Sequence, residues 1–103
     1  MKDKTKLVML LDFYGNMLSE IKRDILSEYA EDDMTLSEIA EERGITRQAV
    51  ADAVYVASRK LEDLEKKLGL VARFEIAKKL LSEIAQRSDE DTKQKINKII
   101  ETL

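Results

Sequence analysis

Thr35-Leu36-Ser37-Glu38-Ile39-Ala40-Glu41-Glu42-Arg43-Gly44-Ile45-Thr46-Arg47-Gln48-Ala49-Val50-Ala51-Asp52-Ala53-Val54-Tyr55-Val56 contains two helix starts and one helix stop. Thr35 can cap a first helix, and Glu38, three residues on, completes a capping box. Ala40 is small, as a close crossing of two helices requires. Gly44 follows the end of the first helix, where the chain needs a left-handed backbone. Thr46 can cap a second helix, and Val50 points back to lock it against the first. Residues 35–56 therefore read as a helix-turn-helix, a motif that exposes the start of its second helix. Arg43 breaks the pattern: it is polar where such packing usually favours an apolar residue.

Outward from the motif the chain stays helical. Leu7, Leu10, Leu11 and Tyr14 have helical spacing, which predicts a first helix from about Lys4 to Met17, weakened by Gly15 and Asn16. Ser19 can cap a second helix carrying Ile21, Ile25, Leu26 and Tyr29. Glu31-Asp32-Asp33 is an acidic turn. The third helix runs from Leu36 to Arg43, and the fourth starts after Thr46 with no stop signal until Gly69. Its apolar positions Val50, Val54, Ala57, Leu61, Leu64 and Leu68 step four, three, four, three, four, a heptad pattern. A helix of roughly 22 residues would be about 33 Å long, and its outer half needs something to pack against. Leu70, Phe74, Ala77, Leu81 and Ile84 imply a fifth helix. Ser88, with Asp89, Glu90 and Asp91 behind it, reads as the cap of a final helix with Ile96, Ile99, Ile100 and Leu103. No segment alternates like a strand.

The fold class expected is all-α: a helix-turn-helix, then a long helix and one or two carboxy-terminal helices. Residues 1–103 fit one domain, with the motif at 35–56 and a helical extension at 57–103 that serves dimerisation. The 103 residues are 44% hydrophobic and 38% charged, which suits long solvent-exposed helices. There is no proline, and the glycines are Gly15, Gly44 and Gly69. Without cysteine or histidine the chain has no disulfide, zinc-finger, thiol or imidazole chemistry. No cofactor or metal is implied. The acidic clusters lack the loop spacing of an EF-hand, no glycine loop for phosphate is present, and an enzyme is not expected. No apolar run approaches membrane-spanning length. The apolar run near the start is short and broken by Asp12, so it does not read as a signal peptide.

The formal net charge is −3, although compact DNA-binding domains are usually basic. Between Thr35 and Lys60, Arg43, Arg47, Arg59 and Lys60 stand against Glu38, Glu41, Glu42 and Asp52. Any nucleic-acid site is therefore a local patch, with Arg47, Arg59 and Lys60 as its useful charges. Thr46, Arg47 and Gln48 sit at the exposed start of the second motif helix, where Arg can bond guanine and Gln adenine. The plainer reading makes Thr46 only a cap and the other two solvated. Tyr55 can reach a phosphate, stack on an unpaired base or pack on a partner helix. Asp52 can repel phosphate or pair with a nearby cation. Lys22-Arg23, Lys78-Lys79 and Lys93-Lys95-Lys98 read as solvated faces. Leu61, Leu64, Leu68, Phe74 and Leu81 make a seam that closes within one chain or between two, and the small core favours a homodimer.

Leu11-Asp12-Phe13-Tyr14, Leu36-Ser37-Glu38-Ile39-Ala40-Glu41-Glu42, Arg47-Gln48-Ala49-Val50 and Leu61-Glu62-Asp63-Leu64-Glu65-Lys66-Lys67-Leu68, in this order, resemble the YlxM family of small bacterial helix-turn-helix proteins. The motif is also similar to the promoter-reading fourth region of sigma factors. The resemblance implies an all-helical, cytoplasmic, often dimeric DNA-binding regulatory protein. It also implies a link to the signal recognition particle pathway through its RNA. The chain departs from the family pattern in two places. Ala51 stands where an aromatic follows Arg-Gln-Ala-Val, and Tyr55-Val56 where a Lys-Arg pair sits. The alternative is a protein-interaction module that presents an acidic, heptad-bearing surface, for example to a secretion-pathway protein.

Overall fold

The computed structural model describes residues 4–103, so the first three residues of the rejected leader reading lie outside it. The described residues form α1 (Lys4–Tyr14), a 3-10 turn (Gly15–Met17), α2 (Glu20–Ala30), α3 (Leu36–Arg43), α4 (Arg47–Leu68), α5 (Leu70–Gln86) and α6 (Glu90–Thr102). They include no strand, and the all-α expectation holds. Tertiary contacts group the chain into two compact units, one ending at Leu68 and one spanning Gly69–Leu103. The boundary falls at Gly69, and α4 is one uninterrupted helix up to Leu68.

In the first unit α4 packs on α2 and α3, and α1 packs on α2 and α4. Leu7, Leu10, Leu11 and Tyr14 of α1 are buried, as are Leu18 and, in α2, Ile25 and Leu26. Beside them, Ile39 and Ala40 of α3 and Val50 of α4 close with Ile25 into one cluster, flanked by Tyr29, Met34, Leu36, Ala53 and Val54. The first helix is shorter than its spacing predicts. It leaves α geometry at Tyr14 (φ −121°, ψ 0°), and Gly15–Met17 tighten into the 3-10 turn before Leu18 goes extended. The Tyr14 hydroxyl donates to Glu65 at 2.6 Å, tying this end of α1 to the outer half of α4.

The acidic turn before α3 is held by one cation. Asp33 adopts φ +54°, a left-handed conformation that a short polar side chain tolerates. Lys4 Nζ lies 2.6 Å from its carboxylate and 4.3 Å from the Tyr29 ring centroid. The hydrogen bond and charge of Lys4 hold the Asp33 carboxyl below its ordinary range.

Arg43 also finds its reason here. Its guanidinium takes Glu28 of α2 in a two-point pair, with Nε donating to Oε1 at 3.0 Å and Nη2 to Oε2. Both side chains are mostly covered, at 28% and 20% exposed. The pair clamps the end of α3 to α2 where an apolar contact was expected, and it keeps the arginine charged.

The second unit is a hairpin of α5 and α6. Gly69 (φ +65°) opens α5, in a conformation that disfavours any side chain. The cap of α6 is Asp89, not Ser88. Asp89 Oδ1 accepts from the Thr92 N–H at 2.8 Å, while Ser88 Oγ donates back to the Ile84 carbonyl at 2.7 Å and finishes α5. Ile96 is buried, whereas Ile76, Leu80, Ile84, Ile99 and Leu103 are exposed. Hairpins this short cannot bury all their apolar surface.

These contacts set three expectations for stability. Replacing Glu28 by Gln leaves the covered guanidinium with a weaker partner and should cost about 1.5–3 kcal/mol in urea unfolding, a charged hydrogen bond's usual worth. An unchanged midpoint would mean that the clamp contributes nothing. Ser58 is fully buried in α4, and its hydroxyl has no hydrogen-bond partner among the described residues. Ser58→Ala should melt at or above the parent temperature, because it deletes a dehydrated polar atom; clear destabilisation would mean that the hydroxyl is satisfied. The Thr92 amide and hydroxyl hold the Asp89 carboxyl below its ordinary 3.8. The cap's contribution is therefore present above that value and is lost as pH falls through the lower folded value. Protection of the α6 amides, relative to their intrinsic exchange rates, should fall below about pH 4, and Asp89→Asn should flatten the dependence.

Candidate nucleic-acid interface

The position of the motif's exposed helix start is set by three local devices. At the front of α3, Thr35 Oγ1 accepts from the Glu38 N–H at 3.0 Å, and the Glu38 carboxylate accepts from the Thr35 N–H at 2.8 Å. The capping box read from the sequence is thus complete. At the back of α3, Gly44 adopts φ +68°, ψ 32°. Its N–H reaches the Glu41 carbonyl at 3.3 Å, and the Ile45 N–H reaches the Ala40 carbonyl at 3.0 Å. This pair of bonds is a Schellman motif, and the positive φ alone asks for glycine, since a Cβ there would meet nothing within 4 Å. Thr46 Oγ1 then accepts from the Ala49 N–H at 3.0 Å and starts α4.

Val50 is 0% exposed, locked among Ile25, Ile39 and Ala40. That fixes the rotation of α4 about its axis. Val50, Ala57 and Leu61 face inward. Gln48, Asp52, Tyr55 and Arg59, stepping four, three and four residues, fall on one strip of the opposite face, and all are exposed. Arg47 and Lys60 flank that strip on its two sides and are exposed as well.

The strip is built from two pairs. Gln48 Nε2 donates to Asp52 Oδ1 at 2.9 Å. Arg59 Nη1 donates to the Tyr55 hydroxyl at 3.3 Å, and its guanidinium carbon lies 5.9 Å from the Tyr55 ring centroid. The Arg47 side chain makes no hydrogen bond or ion pair among the described residues. Beyond Tyr55, a shallow groove runs along α4, lined by Val56, Arg59, Lys60, Asp63, Leu64 and Lys67. Thr46, Arg47, Gln48, Tyr55, Arg59 and Lys60, singled out from the sequence, are all exposed.

The acids that balance these cations on paper are partly engaged elsewhere. Glu38 is consumed by the capping box, while Glu41 and Glu42 are exposed on α3. Asp52 holds an amide and not a cation, a pairing that the i,i+4 spacing could have revealed. Arg23 bonds Asn16 at 3.1 Å, and Lys95 pairs with Asp91 at 3.3 Å; both suit the plain reading of those charges.

The seam residues do not behave alike. Leu61 is 0% exposed, so its side chain is already covered within one chain and offers nothing to a second. That is a correction to its place in a dimer face. Leu64, Phe74 and Leu81 are half-buried, and Leu68 is 49% exposed. Sequence reasoning named Ile84 but missed Ile76 and Leu80, which form with it a second α5 stripe more open than Phe74 or Leu81. Its i,i+4 spacing was the available signal. No helix of the described residues is long and apolar enough to cross a membrane.

Comparison with known proteins agrees with the motif. The profile of the family UPF0122, described as "Putative helix-turn-helix protein, YlxM / p13 like", matches residues 1–102. The chain is similar to a UPF0122 protein of Halalkalibacterium halodurans, with 38% identity covering all of this chain and 96% of the relative. A UPF0122 protein of Desulforamulus reducens is 39% identical over 86% of this chain and 76% of its own length. One of Shouchella clausii is 42% identical over 82% of this chain and 78% of its own length. Capped helices, left-handed turn and full-length profile lead to one conclusion: the chain belongs to the UPF0122 family of YlxM/p13-like helix-turn-helix proteins.

Proposed function

We propose that this chain is a cytoplasmic regulatory protein that binds duplex DNA by setting the start of α4 into the major groove. The observation that carries the reading is Arg47. Its exposed guanidinium has no partner among the described residues, and it stands at the front of a helix fixed by caps, turn and core. Such a group can take the O6 and N7 atoms of guanine together, and Gln48 beside it can take adenine. Arg59 and Lys60 hold backbone phosphates further along α4, with Tyr55 steadying Arg59. Thr46 uses its oxygen as a cap and keeps its hydroxyl hydrogen for a phosphate.

A homodimer completes this reading. Leu68, with Leu64, Phe74 and Leu81, would join two copies, and pairing multiplies weak phosphate contacts through effective concentration. The family resemblance brings a second ligand, the RNA of the signal recognition particle. The deep, narrow major groove of A-form RNA does not admit a helix, so the geometry of α4 favours duplex DNA. A protein-interaction role draws on a different observation, the exposed Ile76, Leu80 and Ile84 stripe.

Fluorescence anisotropy with a labelled mixed-sequence duplex and with the particle RNA tests the proposal. With the two phosphates that Arg59 and Lys60 would neutralise, affinity should fall roughly twelvefold between about 50 and about 200 mM salt. Arg47→Ala should weaken duplex binding roughly tenfold. A folded protein that binds neither ligand, or binds indifferently to salt and to Arg47→Ala, would defeat the proposal and favour the protein-interaction role. Sedimentation equilibrium checks the dimer: a mass twice that of one chain is expected, and Leu68→Lys should lower it.

A further inference from the structure

We infer that Asp52 is a specificity-determining residue of the α4 face, selecting adenine or cytosine, the bases that carry a major-groove amino group, on the strand it faces and holding unselective phosphate binding down. The inference rests on the nucleic-acid reading above. Between Arg47 and Lys60, Asp52 is the only acidic residue of α4. It is exposed, lies in the middle of the strip, and forms no ion pair among the described residues. Nothing neutralises it before a ligand arrives. A face whose whole task was to grip phosphate would be weakened by an unpaired carboxylate at its centre. Such a group gains its use when rejection of wrong ligands matters as much as attraction of the right one.

The bond to Gln48 supplies the positive half of the selection. An ionised carboxylate only accepts hydrogen bonds, so the Gln48 amide must turn its nitrogen toward Asp52 and its oxygen away. The usual ambiguity of a glutamine amide is thereby removed by chemistry. Gln48 is left with an acceptor and one remaining N–H, which matches the N6 amino group and N7 of adenine. Asp52 keeps a second oxygen, one helical turn along the strip. That oxygen can accept from the N4 amino group of cytosine. Guanine and thymine offer this oxygen only acceptors or a methyl group in the major groove, and phosphate offers only negative charge. All three are disfavoured there.

Two substitutions separate the parts. Asp52→Asn keeps the shape and can still accept from Gln48, but removes the charge. Asp52→Ala removes the charge and frees Gln48. The full chain and both variants are tested by anisotropy on a mixed-sequence duplex, and by selection from a pool of duplexes with a randomised central tract. Removing one charge about 6 Å from a phosphate should tighten mixed-sequence binding by roughly threefold at low salt. The sequences recovered by Asp52→Asn should lose cytosine preference at one position, and those recovered by Asp52→Ala should also lose adenine preference at its neighbour. Thermal melting of both variants should match the parent, since the side chain is exposed. If the parent binds duplex while both variants bind no tighter and recover the same sequences, this inference falls and the proposed function stands. If parent and variants all fail to bind, the proposed function falls and this inference falls with it.

Discussion

The burial of Val50 against Ile25, Ile39 and Ala40 is the constraint on which the rest of the first unit depends. Before it, the chain passes from α3 to α4 through a few residues whose backbone is fully committed. Gly44 and Ile45 return their N–H groups to Glu41 and Ala40, and Thr46 caps α4. With Val50 locked, α4 has no freedom to rotate. The residues just before it are forced to the surface, and every later position of the helix inherits its phase. The inward face, Val50, Ala57 and Leu61, and the outward strip, Gln48, Asp52, Tyr55 and Arg59, are two consequences of one packing event.

The same geometry leaves Arg47, Arg59 and Lys60 exposed on α4 of an acidic chain. Several carboxylates are spent inside the fold. Glu38 closes its capping box, Glu28 holds Arg43, and Asp33 holds Lys4. Arg47 and Lys60 are left without such partners, and Arg59 leans only on a neutral phenol. A net charge of −3 therefore describes the sum and not the field near the start of α4. Glu41, Glu42 and Asp52 are the acids of the motif left exposed without a salt bridge among the described residues.

Most of the motif was legible because its signals are local. A capping box, a left-handed glycine and a threonine cap each need only a few neighbouring residues, and all three stand where the sequence places them. The length of α4 was legible because nothing between Thr46 and Gly69 stops a helix. The features that escaped depend on distant or competing partners. Arg43 looked misplaced because Glu28 is fifteen residues away in sequence. The end of α1 was read too late, because Gly15 and Asn16 weaken a helix without saying which residue leaves it. Ser88 and Asp89 are both good caps, and only the pull of the Ile84 carbonyl on Ser88 separates them. The heptad of α4 marks the stripe but not the point at which it emerges from the core, so Leu61 and Leu68 looked equivalent. Of the candidate site, the positions were readable from motif phase. The Gln48–Asp52 and Tyr55–Arg59 pairs became visible only with side chains in place.

If nucleic acid binds on the outward strip of α4, the most direct measurement is an NMR titration of the labelled full chain with a short mixed-sequence duplex at low salt. Amide shifts should move first and furthest at Thr46, Arg47 and Gln48, then along Asp52, Tyr55, Arg59 and Lys60, with α2 unmoved. Shifts confined to α5 and α6, or none at all at saturating duplex, would contradict a binding face on α4.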